Sequence, residues 1–480
     1  MTAADDGGVP APPVDAITTL TARELARRIH ARAVSCREVM KAYLARIEAL
    51  NPRHNAIVSL RPPDVLLAEA DEADAALARG EDRGRLHGFP LAVKDLVDTT
   101  GLRTTHGSPL FADNVPARDA LVAARMRGAG AIIIGKTNVA ELGYGSQSYN
   151  PVFGATRNAL DPSLTAGGSS GGAAVSVALR MQPVADGSDS MGSLRNPAAF
   201  NEVVGFRPTP GRVPAGAPDA RFIEDLSTAG PMARTVVDAA WLLSVQAGPD
   251  PASPLSISES GESFATPLDG LPFGRRVGWL GDLGGYLATD PGLLGACEAG
   301  LRRLKATGCT VDAASPPFSP ALAWDTWTTL RSWQIAGRLA EPYRDPVRRP
   351  LLKPEAAWEI ECGLSISGEQ VWTALGRRSE LFRDLLALFD RFDILVLPSA
   401  QVFPFAADLH WPEAVGGRLM DTYHRWMEVT IYASLGGLPA LAVPAGRGPD
   451  GLPAGIQLLG RPRADLEVLA LGHAYEAAGA

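Results

Sequence analysis

Residues 165–195 read TAGGSSGGAAVSVALRMQPVADGSDSMGSLR. Two hydroxyls, Ser169 and Ser170, stand between the glycine pairs Gly167–Gly168 and Gly171–Gly172, and an alanine-rich apolar run follows at once. Glycine gives the backbone around those hydroxyls the freedom a reactive loop needs. A flexible linker would stay polar along its whole length. A phosphate-binding loop would need Lys and then Ser or Thr after its last glycine, where Ala173 stands instead. What remains is nucleophilic chemistry, which requires a base within reach. The stretch holds no histidine, and the nearest one upstream is His106. Lys94, closing the apolar run of HGFPLAVKDLVDTTG (87–101), is the candidate base. Burial there disfavours the ammonium, and a neutral amine accepts a proton.

Outward from that stretch, the chain alternates helical and strand patterns. Thr21-Ala-Arg-Glu24 and Ser35-Cys-Arg-Glu38 are capping boxes before amphipathic runs, which predicts a helical hairpin ending near Asn51-Pro52. A third helix is expected over 66–79 and another over 120–127. Residues 88–93 read as a turn into a buried strand that delivers Lys94, and 131–134 as a short β-branched strand. The rhythm recurs as strand 277–280, helix 291–305 and strand 309–311, and at the end as strands 439–444 and 454–459 joined by a GPDG turn. Helix followed by buried strand, repeated, indicates an α/β architecture. Residues 183–185 form a short run leading into a second Gly/Ser loop that ends at Ser193.

Residues 315–426 break the rhythm, with many prolines and seven of the nine tryptophans. Their last regular pieces are a helix over 379–392 and a buried strand over 394–398. Taken together the aromatics suggest a helical cap, about 315–430, shaping a pocket over the reactive loops.

The chain has 480 residues and a net charge of −8 with both signs interspersed, which argues against nucleic acid as a main partner. Residues 1–16 are expected to be a flexible tail rather than a signal peptide, and 17–480 one domain. Cys36, Cys297, Cys309 and Cys362 are widely spaced, without a CxxC pair, and read as reduced core thiols. No cluster has metal-ligand spacing, so neither metal nor cofactor is expected. No stretch approaches the ~18 consecutive apolar residues of a membrane span. A soluble cytoplasmic protein, monomer or homodimer, is expected.

Lys94, the GGSSGG loop and GSDSMGSLR together resemble the amidase signature family of serine hydrolases. The spacings of 75 residues from Lys94 to Ser169 and 24 from Ser169 to Ser193 match that family. GKTNVAELGYGSQ (135–147), NPVFGATRN (150–158) and GLPALAVPAGRGPDGLPAGIQLLG (437–460) fit it too. The resemblance implies a central mixed, twisted β-sheet with helices on both faces. It also implies that Ser193 attacks the carbonyl, and that Ser169, after a cis peptide bond, relays the proton to neutral Lys94. The amides of Ser190, Met191, Gly192 and Ser193 would form the oxyanion hole, with Ser170, Asp189 and Arg195 supporting the loop. Tyr144 matches a region that lines the acyl pocket in relatives. Two positions depart from the pattern. Met191 replaces a usual glycine and would project from the hole-forming loop, and Asp186 stands where the family is usually apolar. The implied activity is hydrolysis of a small-molecule amide or carbamate (urethane). The tryptophan-rich segment, with Phe403, Phe405 and Tyr423, points to neutral substrates bearing aryl or alkyl groups, although Arg331, Arg338 and Glu341 in the same segment would supply charges if they point inward. The alternatives are the glutaminase subunit of a tRNA-dependent amidotransferase and an inactive scaffold.

Overall fold

Strand β-periodicity explains how the sheet is sandwiched. Along Ile394–Pro398, Ile394 and Val396 enter one apolar cluster while Leu395 and Leu397 enter another. Along Ala440–Arg447, Leu441 and Val443 face the first cluster, and Ala440 and Ala442 turn the opposite way. Side chains alternate across a strand, so a strand apolar at every position must be covered on both faces. In the computed structural model, which describes residues 15–215, 220, 222–269 and 274–479, that is the arrangement. Most of the expected tail, 1–14, lies outside the described residues.

In chain order the strands are β1 (Ile57–Val58), β2 (Pro90–Lys94), β3 (Ile132–Thr137), β4 (Ala185–Asp189), β5 (Val204–Arg207) and β6 (Thr228–Ala233). There follow β7 (Arg276–Trp279), β8 (Thr310–Ala313), β9 (Ile394–Pro398), a hairpin of β10 (Ala414–Val415) and β11 (Arg418–Leu419), β12 (Ala440–Arg447) and β13 (Pro453–Leu459). Eight of them form one mixed sheet in the order β4-β6-β5-β12-β13-β9-β7-β8. Its pairs are antiparallel from β4 to β9 and parallel from β9 to β8. A three-stranded sheet, β1-β3-β2, carries Lys94 at the end of β2.

Helices Val236–Gln246, Leu293–Ala306 and Asp465–Ala477 pack on the Leu441 face of the large sheet. Pro320–Arg344, Gly368–Arg391 and Ile431–Leu435 pack on the Leu395 face. Both expected helix starts are present: Thr21 Oγ1 accepts from Glu24 N–H, and Ser35 with Glu38 forms a complete capping box.

The segment after residue 315 is where the sequence reading needs correction. It consists of Pro320–Arg344, Pro354–Ser365, Gly368–Arg391 and then β9, which belongs to the main sheet. Trp327 and Trp426 are fully buried in a core cluster, whereas Trp372 is 78% exposed. The helix expected over 379–392 begins eleven residues earlier, at Gly368, because Ser367 and Gln370 cap it reciprocally.

Candidate active site

Lys94 reaches its position because β2 pairs in parallel with β3 and ends there, with the side chain fully buried. Its Nζ lies 3.0 Å from Ser169 Oγ, 2.7 Å from Ser170 Oγ and 2.9 Å from Ser188 Oγ. The Ser188 carbonyl is 3.4 Å away. These are hydroxyls and a carbonyl; no carboxylate touches Nζ among the described residues. Burial therefore wins over the more distant Asp186 and Asp189 and pushes the ammonium down to about 7. An amine so placed is neutral over part of the physiological range and can take a proton from a neighbouring hydroxyl.

The peptide bond between Gly168 and Ser169 is cis. Gly168 sits against the backbone of Gln147 and Ser148, where a Cβ would come within 2.9 Å of main-chain atoms. That close approach is why glycine stands there. Ser170 occupies the N-cap position of helix Gly171–Ala178 but makes no capping bond, since its Oγ is turned to Lys94.

Ser193 follows the end of β4. Residues 186–189, read from composition as part of a Gly/Ser loop, belong to strand β4, which pairs antiparallel with β6. Ser193, Ser169, Ser188 and Ser190 line one cavity of about 130 Å³ with Tyr144, Leu142, Leu226, Arg331, Ile335 and Arg338.

The loop after β4 is held by one carboxylate. Asp189 accepts from Gly192 N–H at 2.9 Å and Leu194 N–H at 3.1 Å, and from both nitrogens of a bidentate Arg195 at 2.9 and 2.8 Å. Arg207 lies 3.5 Å from the same carboxylate and donates to the Asp189 carbonyl. Burial alone would raise this carboxyl; the two guanidiniums and the Gly192 amide override it and hold it well below the usual range. Arg195 in turn donates to the Thr430 carbonyl and to Gln457 Oε1, at 2.9 and 2.6 Å. One expectation changes here: the Gly192 amide is already committed to Asp189. The amides of Ser190, Met191 and Ser193 have no acceptor among the described residues and remain as donors.

Met191 is a second correction. Its side chain is 3% exposed, belongs to an apolar core cluster and is not among the cavity-lining residues. It turns away from the site because an apolar side chain gains more from that cluster than from a polar cavity. The tryptophans are the third. None of the seven in 315–426 lines the cavity that holds Ser193; Trp358 and Trp411 border a separate groove of about 810 Å³. The long helix Pro320–Arg344 does border the site, through Arg331, Gln334, Ile335 and Arg338, which share one helical face. Tyr144 does line the cavity, with its ring beneath the Arg331 guanidinium at 5.5 Å. Arg331 is itself held by Glu359 at 2.6 Å and the Tyr423 hydroxyl at 2.9 Å.

Ser188, Arg207, Gln457 and Ser434 escaped sequence reasoning; of the charged residues of helix Pro320–Arg344 that the sequence offered, Arg331 and Arg338 line the cavity and Glu341 does not. Ser188 could have been found: it lies two residues from Asp186 and one from Asp189 within GSDS. The others come from distant segments and carry no local signal. Among the described residues no group of three or more His, Cys, Asp or Glu side chains could hold a metal ion, and no helix is long and apolar enough to cross a membrane.

Comparison with known proteins identifies the family. Residues 38–469 match the Amidase family profile. An acylamidase from Rhodococcus erythropolis is 35% identical over 467 residues, covering 95% of each chain. A glutamyl-tRNA(Gln) amidotransferase subunit from Acidothermus cellulolyticus is 36% identical over 485 residues, covering 95% of this chain and 94% of its own. The crystal structure of a bacterial aryl acylamidase of the amidase signature family superposes with a TM-score of 0.88 at 28% identity, over 96% of both chains. The chain belongs to the amidase signature family and is a hydrolase acting on amides.

Proposed function

We propose that this member of the amidase family cleaves the C–N bond of neutral amides bearing aryl or alkyl groups, and of carbamates of the same shape, through an acyl-enzyme on Ser193. Ser193 Oγ bonds to the carbonyl carbon as its proton passes to Ser169 Oγ and the Ser169 proton passes to neutral Lys94 Nζ. The oxyanion that forms is met by the Ser190, Met191 and Ser193 amides, the donors not already used by the loop. The relay then runs in reverse: the proton reaches the leaving nitrogen, the C–N bond breaks, and water hydrolyses the Ser193 ester by the same path. Ser170 and Ser188 orient the amine, and Asp189 with Arg195 holds the donors in place.

The observation that carries this reading is the fully buried Lys94 amine, within hydrogen-bond distance of Ser169 and without a contacting carboxylate. An ion pair there would keep the lysine protonated and useless as a base.

A glutaminase reading is favoured by the amidotransferase relatives. It requires a carboxylate to receive the α-ammonium of glutamine. No Asp or Glu lines the Ser193 cavity among the described residues; its charged side chains are Arg331 and Arg338. The apolar part comes from Leu142, Tyr144, Leu226 and Ile335. Steady-state kinetics on glutamine, asparagine, anilides, primary amides and carbamates test the choice. An anilide or carbamate is expected to show the highest kcat/KM. A higher value for glutamine or asparagine than for all of these overturns the substrate reading.

A further inference from the structure

Among the charged neighbours of Lys94 that the chemistry above does not use, Asp186 is the one hydrogen-bonded to the lysine itself. Asp186 and Ser188 stand two apart on β4, so their side chains leave the same face of that strand. Ser188 reaches Lys94 Nζ, and Asp186 reaches the backbone of the same lysine, accepting from its N–H at 3.0 Å. Two residues earlier on β2, the Ala92 N–H donates to Gln182 Oε1 at 2.8 Å. β2 belongs to the three-stranded sheet and β4 to the eight-stranded one. The two sheets are thus joined beside Lys94 by side chains from 182–186 rather than by a backbone ladder. Asp186 is 2% exposed, and its Oδ2 has no hydrogen-bond partner among the described residues. A neutral amide would serve equally well as the acceptor for one N–H. The carboxylate thus brings to this place a charge that the hydrogen bond alone does not require.

We propose that Asp186 is a positioning residue for Lys94: it fixes the end of β2 through the Lys94 N–H and, by its charge, sets how firmly Nζ holds a proton. The functional half of this rests on Lys94 acting as the base. The groups facing Lys94 leave Asp186 in a distinct position. From β3 comes Lys136, whose Nζ is bonded to the Val97 carbonyl and to Thr99 Oγ1. From the turn after β2 comes Asp95, which is bonded by Thr105. From β4 come Asp186 and Asp189, and Asp189 is neutralised by Arg195 and Arg207. Helix Gly171–Ala178 brings no charged side chain. Asp186 has no arginine at ion-pair distance among the described residues, so its charge is spent on the two lysines. Burial raises the Asp186 carboxyl above its ordinary range, and the Lys94 N–H and the two ammonium groups oppose that rise. An anion at that place opposes the effect of burial on Lys94 and keeps the amine basic enough to pull the relay proton.

Asp186→Asn keeps the acceptor and removes the charge; Asp186→Leu removes both. Full-length protein labelled with 13C at lysine Cε has only five lysines, so Lys94 can be assigned by its loss in Lys94→Met and titrated directly. In Asp186→Asn, the Lys94 midpoint and the acid limb of kcat/KM on an amide are expected to fall together by roughly one pH unit. The high-pH plateau should stay within about 3-fold of wild type, whereas Asp186→Leu should lower that plateau by about 10-fold or more. A Lys94 midpoint unchanged in Asp186→Asn overturns the proposal. A midpoint that moves while the acid limb stays put upholds the role of Asp186 and instead overturns Lys94 as the base. Asp186→Ser, a smaller neutral acceptor, supplies the same readout if the Asn protein does not fold.

Discussion

The floor and the wall of the cavity are built on opposite principles. The floor, β4 with the loop to Arg195, is buried almost throughout, and Asp189 anchors a network that runs through Arg195 to Gln457 and Ser434. The wall is a single face of helix Pro320–Arg344, on which Arg331 is fixed by Glu359 and Tyr423. Arg338, two turns further on, is half-exposed and 3.7 Å from Glu224. A satisfied buried network is rigid, and reacting groups need rigidity; a solvated arginine on a long stem adapts to what lies beside it. On the function proposed above, chemistry belongs to the floor and selection to the wall.

Ser193→Ala tests the floor most severely. Turnover should fall by several orders of magnitude, because the covalent step and the relay are lost together. Activity within ~10-fold of wild type would break the assignment. Lys94→Ala should act almost as strongly and also remove the acid limb. Since the base must be neutral, wild-type activity is expected to fall as pH drops through about 7, with one proton taken up. A Lys94→Ala profile with the same limb and rate would show that another group titrates.

Next in size is Arg195→Met. It leaves Asp189 buried with its charge uncompensated by a bidentate partner, at a cost of about 3–5 kcal/mol in unfolding free energy. Denaturant titration measures it. A loss below ~1 kcal/mol would show that Arg207 alone suffices, and the floor would be less rigid than argued.

Met191→Ala should lower stability by about 2–5 kcal/mol, because it empties a core site. Relative rates across a substrate panel should not change, since the side chain does not face the cavity. A changed substrate ranking in a protein of wild-type stability would return Met191 to the site.

The smallest effect belongs to the wall. Arg338→Met should change stability by no more than about 1 kcal/mol, its ion pair being long and solvated. It should raise KM rather than lower kcat, and shift the ratio of kcat/KM between two substrates differing only in acyl polarity by roughly 10-fold. A uniform fall in kcat for every substrate would place Arg338 with the floor.

The legible part of the molecule is the part in which short-range chemistry speaks for itself. Lys94 stood at the end of an apolar run, and Ser169, Ser170 and Ser193 stood in glycine-rich turns at distinctive intervals. Capping boxes and β-branched runs placed about half of the helices and strands, most of those to within a few residues. Composition misled in two places. GSD at 187–189 looked like loop because small polar residues dominate it, yet pairing with β6 makes it strand. The tryptophans looked like a pocket lining because large aromatics serve pockets and cores alike, and only packing tells which.

By itself, then, the sequence singled out the residues to which we assign the chemistry, since a reactive lysine and serines in tight turns need local backbone freedom and local apolar context, both written into neighbouring positions. Tertiary structure alone decided which amides are left as donors, where Met191 points, and that Arg331 and Arg338 rather than tryptophans face Ser193. It also decided the place of Asp186, which meets a backbone 92 residues away. Such contacts join segments far apart in the chain, and a pairing of that kind leaves no trace in either segment read alone.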